Sequence, residues 1–141
     1  MEDINKAQLI ISSKTYSCEE IDQKVGLSCD EAWAVGDMRE IGGKDHRNKV
    51  RKGKMIDNGW IINSNLSGKS PLEHHIENLL IKLFPYLQNI KELSNECDVQ
   101  VLCISWRDMG ATMPIFLDKK FIKSIYDLGA RVDFDLFTAG N

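Results

Sequence analysis

An α+β fold is predicted for this 141-residue chain, in the form of a ferredoxin-like two-layer sandwich: an antiparallel sheet of about four strands with helices on one face. Three observations predict it. Runs of strand period and of helical period follow one another without the strict alternation of a doubly wound sheet. Their order reads β-α-β, a long helical connection kinked at Pro85, then β-α-β. A faint internal echo marks the two halves, because IISSKTYSCEEIDQKVG and CISWRDMGATMPIFLDKKFIKSIYDLG each lead from an Ile-Ser strand end into a helix closed by an apolar residue and glycine. The length and a hydrophobic fraction of 43% suit one core, hence a single domain over 1–141.

Each element has a local cause. Ala7 to Ser13 is a short apolar run bounded by polar residues, as central strands are. Ser17-Cys18-Glu19-Glu20 is a capping box, with Tyr16 and Ile21 placed as a hydrophobic staple, so a helix should run from Cys18 to Val25 and end at left-handed Gly26. Trp60 to Leu66 is a weaker strand. Ser70-Pro71-Leu72-Glu73 repeats the capping box with proline in the first turn, and Leu72, Ile76, Leu79, Leu80 and Leu83 follow at helical spacing. Pro85 interrupts that helix by removing a donor and clashing with the preceding turn. A further helix of about ten residues should then turn Leu87, Ile90 and Leu93 inward. Val99 to Trp106 reads as a second central strand. A helix from about Asp118 to Gly129 should bury Phe121, Ile122, Ile125 and Leu128. Arg131 to Phe137 alternates: Val132, Phe134 and Leu136 on one face, Arg131, Asp133, Asp135 and Phe137 on the other.

The charge is segregated. Lys44 to Lys54 contains six basic residues and one acid, a local charge of +5 that leaves −8 on the remainder of a chain whose net charge is −3. The basic loop, about 41–58, thus offers Lys44, Arg47, Lys49, Arg51, Lys52 and Lys54, and like-charge repulsion with few apolar anchors predicts mobility there. No export signal or run of about 20 apolar residues is present, so a soluble, cytoplasmic protein is expected. The four cysteines form no Cys-x-x-Cys pair and read as reduced thiols, with Cys103 a core residue. His74 and His75 are adjacent, about 100° apart on a helix, and cannot grip one ion together. No metal and no cofactor is expected, since the Gly42-Gly43-Lys44 triplet lacks the spacing of a phosphate loop.

Two constellations remain. Asp133 and Asp135 share a strand face with Arg131 and Phe137, an arrangement suited to a basic protein partner, or simply to a charged, solvated strand. Trp33, Asp37, Trp60 and His75 flank the basic loop, where the indoles either anchor it to the core or line a groove. No nucleophile with an orienting base is visible beside His75.

Taken together, the strand ending in Ile11-Ser12-Ser13, Trp33 before Gly36-Asp37, the Gly59-Trp60 pair, Leu72-Glu73 and His75 opening the long helix, and Leu128-Gly129 leading into Asp133-Phe134-Asp135 resemble a bacterial family known as domain of unknown function 4279. The resemblance spans nearly the whole chain. It implies a small α+β domain and carries no catalytic residues over. With no catalytic constellation, the expected function is noncatalytic protein binding, as in an immunity protein that neutralises a bacterial toxin. The rivals are a nucleic-acid or phosphorylated-ligand binder using the basic loop, and an enzyme with its site between the two tryptophans and His75.

Overall fold

The computed structural model describes residues 4–40, 51–108 and 115–139, and its elements follow the sequence signals closely at most helix ends. Strand β1 (Ile4–Ser13) lies at the centre of a five-stranded sheet, flanked by β5 (Asn58–Asn63) and β6 (Asp98–Asp108), with β2 (Glu31–Trp33) and β7 (Arg131–Ala139) at the edges. β3 (Met38–Glu40) and β4 (Lys52–Lys54) form a separate antiparallel pair. The antiparallel, ferredoxin-like sheet of about four strands is therefore corrected: five strands are present, and β6 and β7 run parallel. The connection between them contains a helix, which is what a parallel pair requires. The β-α-β, helical connection, β-α-β order itself stands once the short strands β2, β3 and β4 are set aside.

Helix α1 (Cys18–Val25) has the full capping box: the Glu20 amide donates to Ser17 Oγ, and the Ser17 amide donates to the Glu20 carboxylate. Gly26 closes it in the left-handed region at φ 89°. Helix α4 (Lys119–Leu128) is capped by Asp118, which accepts from the Phe121 amide, and ends at left-handed Gly129. The second capping box is not formed. Helix α2 (Leu72–Leu83) begins after Pro71 with no side-chain cap, because Ser70 belongs to the preceding turn: its amide donates to Ser67 O and its carbonyl accepts from Asn5 Nδ2. At Pro85 the chain passes through a 3-10 turn, Phe84–Tyr86, before α3 (Leu87–Leu93) resumes.

The helices bury one face of the sheet. Leu9, Ile11, Trp60, Ile62, Val99 and Val101 meet Ile21 and Val25 of α1, Leu79 and Leu83 of α2, Ile90 of α3 and Phe121 and Leu128 of α4 in one apolar cluster. Ile122, expected in that core, is instead exposed. Beneath α2 runs a buried polar seam. His75 accepts at Nδ1 from Ser64 Oγ at 2.6 Å and donates from Nε2 to Ser67 O at 2.9 Å, while Ser64 Oγ also accepts the Ala7 amide. Ser105 Oγ donates to Asn5 Oδ1 in the same region. Every polar group so placed has a partner, as burial demands.

Candidate functional site

Residues paired in register project to the same side of a sheet, so the pairing places each side chain. On the side away from the helices, β6 and β7 bring together Leu102 with Asp133, Ile104 with Asp135 and Trp106 with Phe137. Across β6, strand β1 adds Lys6 beside Ile104 and Ile4 beside Trp106. Trp106 and Phe137 stack, with centroids 4.4 Å apart and planes 20° from parallel. Leu102, Ile104, Trp106 and Phe137 are half-buried and Ile4 is exposed. Toward β1 and β5 this side closes over, with Ile10, Ile61 and Gln8 buried, so the accessible apolar stretch is confined to the end of the sheet where β6 and β7 finish.

The predicted charged face of β7 is present, but its members differ. Arg131 donates from Nε to Asp133 at 3.0 Å and from a terminal nitrogen to Asp98 at 2.6 Å, and Gln100 Nε2 donates to Asp133 at 2.6 Å. The hydrogen bond from Arg131 holds the Asp133 carboxyl below its ordinary range, and the same contact raises the guanidinium. Asp133 is thus satisfied within the fold. Asp135 is exposed, and none of the described residues pairs with it. Phe137 is not a lone exposed anchor, since it is half-buried and stacks on the Trp106 ring. Sequence reasoning missed Trp106, Ile104 and Gln100 as neighbours of this face because register between distant strands is a tertiary property.

The groove of Trp33, Asp37, Trp60 and His75 is not assembled. Trp60 is fully buried on the helix side, donating from Nε1 to Asp22 at 2.6 Å. Trp33 pairs with Gly59, the residue before Trp60, and therefore lies on the opposite side. There its ring covers Gly59 so closely that an added Cβ would sit 2.0 Å from it, and the Arg39 guanidinium stands 4.6 Å over its centroid. Asp37 closes a turn by accepting the Ala34 amide. His75 is held in the seam under α2, and burial pushes its pKa down so that the neutral ring persists. Trp33 and Trp60 thus lie on opposite sides of the sheet and do not line one groove with His75.

Of the basic loop, Lys44, Arg47 and Lys49 lie outside the described residues, as does most of the stretch expected to be mobile. Arg51, Lys52 and Lys54 are exposed, the last two on β4. Segment 52–54 is thus strand, paired with β3, and not loop. Burial raises all four thiols, Cys103 to about 12, which disfavours the thiolate a nucleophile needs. Among the described residues no group of three or more His, Cys, Asp or Glu side chains is placed to hold a metal ion, and no helix is long and apolar enough to cross a membrane.

A mixed sheet covered by helices on one side and carrying the Trp106–Phe137 stack on the other defines an α+β protein. Residues 2–138 match the family described as Domain of unknown function (DUF4279), and the chain belongs to that family. No curated protein and no solved structure matches the chain significantly.

Proposed function

We propose that this protein is a noncatalytic binding module that engages a protein partner stoichiometrically through the helix-free end of β6 and β7, in the manner of an immunity protein that neutralises a bacterial toxin. The observation that carries this reading is the Trp106–Phe137 stack set beside Ile104 and Asp135, which has no partner among the described residues. Aromatic residues with two stiff torsions anchor interfaces at little entropic cost, and a neighbouring uncompensated carboxylate steers a basic partner. Asp133 contributes through geometry, because its bonds to Arg131 and Gln100 keep the rim rigid.

The test pairs two charge reversals and follows each against the product of the gene immediately upstream and against short oligonucleotides. Asp135→Lys should slow association with the protein partner, most at low salt. Reversal of Arg51, Lys52 and Lys54 to Glu should leave that association intact. Oligonucleotide binding at micromolar or tighter affinity in physiological salt, lost only through the second set, would replace this reading with nucleic-acid recognition.

A further inference from the structure

The helix layer contains a groove. Between α2 and the N-terminal half of α4 lies an open cavity of about 590 Å³, walled on one side by Ile76, Leu80 and Phe84 and on the other by Phe116 and Phe121. The first of these walls is a continuous stripe, in which Glu73, Ile76, Glu77, Leu80 and Ile81 of α2 and Phe84, the first residue of the 3-10 turn that follows it, recur at the three- and four-residue spacing of one helix face. Those eleven steps extend roughly 16 Å, about three helical turns. Phe84 and Phe116 are 72% and 75% exposed and Ile81 is 63% exposed, so the apolar walls face water along much of their length. Leu136, on the helix side of β7, is also exposed, which shows that the helix layer stops short of this end of the sheet.

The charge on the groove is lopsided. Glu73 and Glu77 stand one turn apart on α2 and Asp118 lies on the facing wall, against one cation, Lys120. Among the described residues neither glutamate has an ion-pair or hydrogen-bond partner. Like charges four residues apart on a helix weaken it. Glu73, in the first turn of α2, is favoured by the helix dipole, and a basic ligand in the groove would be met by both carboxylates.

We propose that this groove receives a basic amphipathic helix of a protein partner. Apolar side chains at i, i+3 or i+4 and i+7 would sit between Leu80, Phe84, Phe116 and Phe121, and Lys or Arg toward one end would meet Glu73 and Glu77. Such a helix, about 10 Å across, fills a gap between two helices and continues the layer over the sheet. A small apolar ligand fits less well, because ligand pockets usually enclose most of their guest and this one leaves its largest side chains standing in solvent. The groove lies on the side of the sheet opposite the Trp106–Phe137 patch, so the proposal is independent of the function proposed above.

The experiment uses the full chain and two labelled helical peptides of about 18 residues, one Leu/Lys and one Leu/Glu with the same apolar pattern, titrated by fluorescence anisotropy. The Leu/Lys peptide should bind and the Leu/Glu peptide should not. Phe84→Ala, a truncation at an exposed site, should weaken binding about tenfold, and Glu73→Lys with Glu77→Lys should invert the preference between the peptides. Phe137→Ala should change nothing here. Equal binding of both peptides, binding indifferent to the groove variants, or displacement of the peptide by a simple fatty amine at lower concentration would overturn the proposal, the last in favour of a small amphiphile.

Discussion

The two sides of the sheet at β6 and β7 have similar apolar residues and different fates. Val101, Cys103, Val132 and Phe134 point under the helices and join the core cluster or pack against it. Leu102, Ile104, Trp106 and Phe137 point the other way and stay half-buried. Burial here is decided by what lies above a strand and not by its composition, since β6 is apolar on both sides. The polar groups divide in the same way. Under the helices, His75, Ser64, Asn5 and Ser105 are buried and fully partnered, while on the other side Arg131, Asp133 and Asp98 form an exposed network. Exposed ion pairs of that kind contribute little to stability, which leaves them open to a role at a surface.

The sharpest way to break this comparison is through the neighbouring residues Gly59 and Trp60. Trp60→Ala, on the helix side, should cost about 3–5 kcal/mol in urea melts, as deletion of a buried aromatic does. On the other side Gly59→Ala should cost about 1–3 kcal/mol by forcing the Trp33 ring off the strand, and most of that cost should vanish in a Trp33→Ala background. Additive effects of the Gly59 and Trp33 substitutions would show that the ring does not rest where the structure places it.

A second contrast lies along β7. Phe134→Ala should destabilise by about 2–3 kcal/mol, somewhat less than full burial would give, and Phe137→Ala by about 1 kcal/mol through loss of the Trp106 stack. Equal losses in chemical melts would mean that the two sides of the strand are covered alike.

The buried seam supplies the pH dependence. Burial depresses the folded pKa of His75 below its unfolded value near 6.5, so the neutral ring contributes its full stability above about pH 6.5 and loses it as pH falls through the folded value. Urea midpoints should therefore drop between about pH 7 and pH 5, and His75→Gln should flatten that part of the profile. A wild-type midpoint that rises on acidification would contradict the assignment.

Much of this architecture was legible in the residues because its causes are local. The Ser17 capping box, Asp118, Gly26 and Gly129 each act within one turn, and the helix ends they predict are the ones observed. Ser70 misled because its backbone serves a tertiary contact with Asn5, which no local pattern encodes. Strands β2, β3 and β4 have three residues each, too few to display a period. The alternation in β7 correctly sent Val132 and Phe134 toward the helices and Asp133 away from them, but it could not show that Arg131 and Gln100 already occupy Asp133 or that Trp106 waits for Phe137. The groove on the helix layer was likewise illegible, because it depends on how far apart α2 and α4 stand.

The central claim is that the Trp106–Phe137 end of the sheet is a protein-binding surface. Its most direct test is calorimetric titration of the purified chain with the protein encoded immediately upstream, comparing the native sequence with Phe137→Ala and Asp135→Lys after each variant is shown to melt cooperatively. The account predicts a one-to-one complex that both substitutions weaken by about tenfold or more, with the Asp135→Lys effect shrinking as salt rises. No complex at micromolar concentrations, or a complex whose affinity is the same for all three proteins, would contradict it.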